Sequence, residues 1–184
     1  MPIVTFVRHA ESEYNKKDIF CGRIDCNITK DGMKKAKECN LTKEEFDIYY
    51  CSPQRRTKQT LQAIFAEAIP IEDERLLTMY LGDWEGKEKK QINKEMVQLY
   101  REGKYMPPNG ESIIEIDKRV REFIEEIFCK YTQKERILVV TSNGVIRSIK
   151  RNFLKDNFNV NTDNLEYIIL TDKEYIEWRS ENDY

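Results

Sequence analysis

Short apolar runs that alternate with helical segments are the feature that most limits how this chain can fold. Residues 3–7 and 137–141 are rich in β-branched side chains, and the second run is apolar without a break through Val140. Such a run is typical of a parallel strand that is covered on both faces. Further strands are predicted at residues 47–52, and at 166–171 and 174–179 as a pair around a short turn.

Apolar residues at helical spacing occupy the segments between these strands. In the longest predicted helix Ile116, Val120 and Phe123 recur on one face, and Ser112 with Glu115 makes a capping box at its start. Other helices are predicted at residues 29–39, with Thr29 as the cap, at 54–67 and at 145–154. Strands that alternate with helices predict one α/β domain over residues 1–184, with ligands beyond the carboxyl ends of the strands.

The segment at about residues 87–107 departs from this pattern. It is heavily charged and weakly patterned from Lys87 to Tyr105, and it ends before the helix-breaking string Pro107-Pro108-Asn109-Gly110. We interpret it as a helical insertion or lid above the sheet. A solvated surface helix without a function is an equally good interpretation.

Composition excludes several classes of function. Charged residues make up 35% of the chain, but the formal net charge is only -2, which argues against nucleic-acid and membrane partners. No apolar run approaches the roughly 18 residues of a membrane span. No secretion signal is evident, so we expect a cytoplasmic protein. The five cysteines contain no Cys-x-x-Cys pair, so we expect reduced thiols.

The single histidine, His9, is the most restrictive count in the sequence. One histidine excludes multi-histidine metal sites and any catalytic scheme that needs two imidazoles, and we expect no metal and no cofactor. His9 follows Arg8 directly after the first predicted strand. Imidazole can attack phosphorus, and arginine binds phosphoryl oxygens through paired, charge-assisted hydrogen bonds. By itself the Arg8-His9 dipeptide is weak evidence of a phosphate site, because a lone histidine more often has a structural role.

Six segments in order along the chain resemble the signatures of the histidine phosphatase superfamily, which includes phosphoglycerate mutases and broad phosphatases. They are Arg8-His9-Ala10-Glu11, Gly22-Arg23-Ile24-Asp25, Thr29-Lys30-Asp31-Gly32, Ser52 to Thr60, Gly82-Asp83-Trp84-Glu85-Gly86 and Gly110-Glu111-Ser112. The resemblance implies a three-layer α/β/α fold with an open, mostly parallel sheet of the phosphoglycerate mutase type. It also implies a small phosphorylated substrate.

The resemblance also implies roles for individual residues. His9 is similar to the nucleophile that takes up the phosphoryl group, and Arg8 and Arg56 are similar to the phosphate clamp. Arg56, rather than the preceding arginine, matches the family motif, and it begins a predicted helix whose N-terminus favours an anion. Asn15 is a further donor. Arg23 either reaches a second charged group of the substrate or lies on the surface.

Three positions depart from the family pattern. Ser142 stands where the family has its second catalytic histidine, and Asn143 stands where some members have an acidic proton donor. Thr78 stands where others have a glutamate for that purpose. Ser142 can still donate a hydrogen bond to a phosphoryl oxygen, and Asn143 is a further candidate substrate contact. Asp83 or Glu85 could replace the missing acid, although Glu85 better fits a structural role.

Three functions therefore remain open from the sequence. The first is a phosphomonoester hydrolase that forms a phosphohistidine on His9 and is slow or specialised, because removal of a proton donor typically costs about 10²–10⁴ in rate. The second is a phosphate-binding pseudophosphatase with a regulatory or scaffold role. The third, a phosphoglycerate mutase, is the weakest, since it needs efficient proton shuttling. The physiological substrate and the oligomeric state stay open.

Overall fold

The computed structural model describes residues 1–156 and 162–182. In this part of the chain five strands form one sheet in the order β3-β2-β4-β1-β5. The strands are β1 (Ile3–Arg8), β2 (Ile48–Cys51), β3 (Ile71–Glu72), β4 (Arg136–Thr141) and β5 (Tyr167–Leu170). The first four run parallel, and β5 runs antiparallel to β1 at the edge. The predicted strands at residues 3–7, 47–52 and 137–141 are thereby confirmed.

Helices cover both faces of the sheet. They are α1 (Glu13–Lys16), α2 (Lys30–Glu38), α3 (Arg55–Ile64), α4 (Lys94–Arg101), α5 (Ile113–Lys130), α6 (Asn143–Ile149) and α7 (Asp172–Asn182), and a π-helical turn, Lys150–Leu154, continues α6. Apolar side chains of α2 and α3 form one core layer, and those of α5, α6 and α7 form the other. The architecture is the three-layer α/β/α arrangement that the sequence indicated. Within the described residues, no helix has the length and apolar character of a membrane span.

Alternation along β4 explains its unbroken apolar sequence. Ile137 and Val139 pack into the layer formed with α5 and α6, whereas Leu138 and Val140 pack into the layer formed with α2 and α3. Because successive side chains of a strand point to opposite faces, a central strand that is covered on both sides needs apolar residues at every position.

Polar caps set the starts of two predicted helices. The Ser112 hydroxyl accepts a hydrogen bond from the Glu115 amide at 3.2 Å, and the Glu115 carboxylate accepts one from the Ser112 amide at 2.7 Å. At α2, the Thr29 hydroxyl accepts a hydrogen bond from the Gly32 amide at 2.9 Å. Each cap satisfies backbone donors that the first helical turn leaves without a partner.

The predicted strand at residues 174–179 is wrong, because this segment lies inside helix α7. Tyr175 and Trp178, one helical turn apart, are the buried residues of α7. The Tyr175 ring stacks on Phe128 with centroids 4.3 Å apart, and Trp178 lies 4.8 Å from Phe153. A three-residue spacing puts both rings on one face of a helix but on opposite faces of a strand. Tertiary packing of the two aromatic rings therefore explains why this segment is a helix and not a strand.

The charged segment at residues 87–107 contains helix α4, which is anchored by one apolar side. Val97 is buried in a small cluster with Phe20, Leu81 and Trp84. The Trp84 ring stacks on Tyr105 with centroids 5.8 Å apart. The segment is thus fixed against the turn that carries Trp84. Its function as a lid stays a prediction.

Replacement of Phe123 by alanine is expected to destabilise the fold by about 3–5 kcal/mol, the usual cost of a large cavity in a packed core. Phe123 is fully buried in α5, and its ring contacts Phe6 and Tyr50 with centroids 6.5 and 5.5 Å away. Denaturant unfolding checks the loss. Ile114→Ala is the matched control, since Ile114 lies in the same helix with 76% of its surface exposed. Equal effects of the two substitutions would contradict this assignment of the core.

Candidate active site

One pocket lies beyond the carboxyl ends of the central strands. It takes His9 from the end of β1, Ser142 from the end of β4 and Arg56 from the first turn of α3. Six of the seven residues that the sequence predicted as catalytic or substrate-binding line this pocket, namely Arg8, His9, Asn15, Arg56, Ser142 and Asn143. They come from distant parts of the chain and meet because parallel strands end at the same edge of the sheet.

The buried imidazole of His9 is held in one tautomer. Its Nδ1 lies 2.8 Å from the carbonyl oxygen of Ala10, which can only accept, so Nδ1 carries the proton. Nε2 therefore keeps its lone pair. Burial lowers the pKa of His9 well below its ordinary value, and the positive charges of Arg56 and Arg8 lower it further. The imidazole is neutral at pH 7, which is the form that can act as a nucleophile.

The guanidinium of Arg56 is fixed by backbone carbonyls of one loop. Nη1 donates to the Ile24 carbonyl at 3.0 Å, and Nη2 donates to the Gly22 carbonyl and to the Gln54 side chain, both at 2.9 Å. Only 2% of Arg56 is exposed, although no carboxylate is among these partners. A buried guanidinium held by neutral acceptors keeps its positive charge available to an anion.

Arg8 is held by a segment near the C-terminus that the sequence did not single out. Its guanidinium donates to the carbonyl oxygen of Thr162, and the Thr162 amide donates to the Asn143 side chain at 3.1 Å. Asn164 donates from Nδ2 to the His9 carbonyl at 2.7 Å. Asn164 lies outside every motif that the sequence displays. Its role in supporting the His9 backbone follows only from the tertiary structure.

Three buried polar atoms of pocket residues have no hydrogen-bond partner within the described residues: Nε of Arg8, Nε of Arg56 and Oγ of Ser142. An unpaired buried donor typically costs about 1–3 kcal/mol. Several such donors beside one pocket fit an anionic ligand whose oxygens would accept from them. The donor set, two guanidiniums and a hydroxyl, is suited to phosphate.

The three positions that depart from the family pattern also face this pocket. Ser142, Asn143 and Thr78 all line it. The segment at Thr78 packs closely on the start of α6, since a Cβ added at Gly144 would lie 3.2 Å from the Met79 amide nitrogen and 3.3 Å from the Thr78 hydroxyl. Glycine at position 144 therefore permits the close approach. The two segments in which the family places its histidine and its acid are adjacent in space.

A replacement acid is not found where the sequence suggested one. Among the described residues that line the pocket there is no aspartate or glutamate, and neither Asp83 nor Glu85 is one of them. The Glu85 carboxylate accepts hydrogen bonds from the amides of Arg23 and Leu81 at 2.7 and 3.1 Å. Glu85 thus has the structural role that the sequence favoured for it. Asp83 accepts a hydrogen bond from Asn109 at 3.1 Å.

Arg23 lies away from the other predicted site residues and is not part of the pocket lining. Its guanidinium is 3.4 Å from the Glu111 carboxylate and lies over the Tyr80 ring, 5.5 Å from the centroid. Contact of Arg23 with a substrate stays a prediction.

The described lining of the pocket also contains three cations that the sequence did not indicate, namely Lys89, Arg101 and Arg147. Lys89 and Arg101 belong to the charged segment, where no pattern distinguishes them from their neighbours. Arg147 closes the string 142–147 that follows β4, so its position after a strand end could have marked it. Its guanidinium donates to the Arg101 carbonyl, which links α6 to the end of α4.

A family model and individual proteins of known sequence both match most of this chain. Residues 4–175 match the model of the histidine phosphatase superfamily, branch 1. The chain is 36% identical over 153 residues to a putative phosphoserine phosphatase 2 of Hydrogenobacter thermophilus, covering 78% of this chain and 74% of that protein. It is 30% identical over 162 residues to a phosphoglycerate mutase of Schizosaccharomyces pombe, covering 80% and 77%.

A solved structure shares the fold. It is a mycobacterial glucosyl-3-phosphoglycerate phosphatase in complex with VO3, with a TM-score of 0.85, 22% identity and coverage of 93% of each chain. The family match spans nearly all of the sequence, and the fold and the order of the motifs agree with it. The chain therefore belongs to branch 1 of the histidine phosphatase superfamily.

Proposed function

We propose that this protein is a phosphomonoester hydrolase that carries the phosphoryl group on Nε2 of His9. One observation supports this most strongly: the neutral, buried imidazole has Nδ1 bound to the Ala10 carbonyl, and two arginines with unpaired Nε donors line the same pocket. The nucleophile is thereby oriented without a partner side chain, and the charge of the phosphoryl group is balanced by Arg8 and Arg56. The name of one relative, a putative phosphoserine phosphatase 2, agrees with a phosphatase.

The reaction proceeds in two displacements. Nε2 attacks phosphorus, the bond from phosphorus to the ester oxygen breaks, and the leaving group departs with that electron pair. The imidazole keeps its Nδ1 proton, and the Ala10 carbonyl stabilises the positive charge that the ring gains. Water then attacks the phosphorus, the P–N bond breaks, and inorganic phosphate leaves while His9 regains its lone pair.

Protonation of the leaving group is the weak step of this mechanism. Ser142 and Asn143 can donate hydrogen bonds to the phosphoryl oxygens, but neither they nor Thr78 is acidic at neutral pH. With no carboxyl group in the described lining, the leaving group takes its proton from solvent. The site is therefore suited to substrates with good leaving groups, such as acyl or aryl phosphates.

The charge of the pocket supports a substrate with a second anionic group. Arg8 and Arg56 suffice for one phosphoryl group, and Arg101 and Arg147 add positive charge to the described lining, whereas the Lys89 ammonium there is paired with Asp18. Several cations in a concave site raise the local concentration of anions and favour multiply charged ligands. A small phosphorylated compound with a carboxylate or a second phosphate fits this arrangement.

Hydrolysis of a series of monoesters that differ in the leaving group tests the proposal. We expect the value of kcat/KM to rise steeply as the leaving group becomes more acidic, by about 10²–10⁴ between alkyl and nitrophenyl phosphates, which is the usual contribution of a general acid. If kcat/KM does not depend on the leaving group and alkyl esters are hydrolysed rapidly, the conclusion that the site lacks a general acid is wrong. Absence of phosphate release from every ester and from acetyl phosphate would contradict the hydrolase.

A phosphate-binding protein without turnover is the second candidate. It is favoured by Ser142, Asn143 and Thr78, which stand in the pocket at the positions of the family's catalytic partners. It predicts binding of inorganic phosphate in calorimetry together with no hydrolysis. If phosphate does not bind to the purified chain, both candidates fail.

A further inference from the structure

Two cysteines lie side by side at the edge of the pocket. Cys21 and Cys26 belong to the loop between α1 and α2, and their Sγ atoms are 3.4 Å apart. Cys21 is half-buried and lines the pocket, while Cys26 is buried behind it. The phosphatase mechanism uses neither thiol. Sulfur atoms at this distance are close enough to form a bond after a small movement of the loop.

The same loop holds the phosphate-binding arginine. Nη1 of Arg56 lies 3.2 Å from Sγ of Cys21 and 3.9 Å from Sγ of Cys26. Between the two cysteines, the carbonyls of Gly22 and Ile24 accept hydrogen bonds from Arg56 at 2.9 and 3.0 Å. A change in the geometry of the thiol pair therefore changes the atoms that orient the guanidinium.

The surroundings favour one thiolate in the pair. The hydrogen bond with Cys21 and the positive charge of Arg56 lower the pKa of Cys26, while that hydrogen bond and burial raise the pKa of Cys21. A thiolate in this pair is therefore favoured at Cys26, beside a cation. Thiolates rather than thiols react with peroxides and disulfides, and a neighbouring guanidinium promotes this reactivity.

We propose that Cys21 and Cys26 are an oxidation site at which a peroxide forms a disulfide, and that this disulfide weakens the hold of Arg56 on phosphate. The disulfide itself is independent of the proposed function. Only its effect on ligand binding rests on the assignment of Arg56 to the phosphate site.

The chemistry balances with hydrogen peroxide as the oxidant. The thiolate of the pair attacks one peroxide oxygen, an S–O bond forms, the O–O bond breaks, and hydroxide leaves. The second sulfur then attacks the sulfenic acid, an S–S bond forms and the S–O bond breaks. The oxygen departs as water with the remaining thiol proton. The two sulfurs lose two electrons in total, and the peroxide gains them. A dithiol reductant reverses the change.

Formation of the bond must pull the loop together. A disulfide needs the sulfurs at about 2.05 Å, so the 3.4 Å separation shrinks by more than ~1 Å. Because Gly22 and Ile24 lie between the cysteines, their carbonyls move with the loop and the guanidinium loses its alignment. We expect the affinity for inorganic phosphate to fall about tenfold, the loss of one modest charge-assisted hydrogen bond.

Peptide mapping and calorimetry on the full chain test the two parts separately. After treatment with hydrogen peroxide, trypsin cleavage at Arg23 leaves the cysteines on different peptides, so the disulfide is detected as two linked peptides without reductant. Calorimetry with inorganic phosphate then compares the oxidised and reduced protein, and dithiothreitol should restore the affinity. Neither measurement needs turnover. If the reduced chain binds no phosphate, the proposed function fails while the mapping still decides the disulfide.

Variants provide the controls. In Cys26→Ser, and in Cys21→Ala as a second variant, peroxide should leave phosphate affinity equal to that of the same variant before oxidation. Cys129→Ser, which removes an exposed thiol in α5, should respond like the natural chain. The proposal is overturned if peroxide oxidises Cys129 without linking Cys21 to Cys26. It is also overturned if the linked protein binds phosphate as tightly as the reduced one.

Discussion

Replacement of His9 by asparagine is expected to lower kcat by about 10⁴-fold or more, because the covalent nucleophile is lost. The asparagine amide is close in size to the imidazole and can keep a hydrogen bond to the Ala10 carbonyl, which accepts from His9 at 2.8 Å. It cannot attack phosphorus, since the lone pair of an amide nitrogen is delocalised. Initial rates with a nitrophenyl phosphate measure the loss.

Phosphate binding distinguishes a lost nucleophile from a damaged pocket. Arg8 and Arg56 are held by backbone carbonyls rather than by His9, so the variant should bind inorganic phosphate in the same range as the natural chain. An unchanged thermal melt shows that the fold is intact. A His9→Asn protein that hydrolyses the ester at the natural rate would contradict covalent catalysis. Direct attack of water on phosphorus would then be the remaining mechanism.

Installing the two missing family groups should have the opposite effect. In a Ser142→His, Thr78→Glu double variant we expect kcat/KM for an alkyl phosphate to rise by about 10²–10⁴, since a charged donor and a general acid are added. Both positions line the pocket, and their segments are in contact beside Gly144. The gain for a nitrophenyl ester should be smaller, because this leaving group needs little protonation.

The single variants and a distant substitution are the controls. Ser142→His alone should help both esters through an added hydrogen-bond donor, whereas Thr78→Glu alone should help chiefly the alkyl ester. Ser180→His introduces an imidazole on the exposed side of α7 and should change neither rate. No gain in a double variant that melts like the natural chain would mean that the site differs at more than these positions.

The sequence predicts the parts of the fold that depend on local pattern. The apolar run of β4 and the caps at Ser112 and Thr29 are local signals, and the structure confirms them. Helix α7 was missed because its buried residues, Tyr175 and Trp178, pack on Phe128 and Phe153, which lie far away in the sequence.

The candidate site likewise contains residues that local sequence patterns predict and residues that only tertiary contacts reveal. Arg8, His9 and Arg56 stand in motifs at the ends of strands, so the sequence could bring them together. Lys89 and Arg101 lie in a segment where about half of the residues are charged, and only the packing of this segment decides which of its charges reach the pocket. The supporting contact of Asn164 with the His9 backbone has no sequence signal, because it joins residues from opposite ends of the chain.

Detection of phosphorylated His9 tests the central claim most directly. The purified chain is mixed with a radiolabelled aryl or acyl phosphate and stopped in alkali, where a phosphoramidate bond survives. Peptide mapping then locates the label. The mechanism predicts label on the peptide that contains His9 and none in His9→Asn. Turnover of the same substrate without any label on His9, under conditions that preserve phosphohistidine, would contradict it.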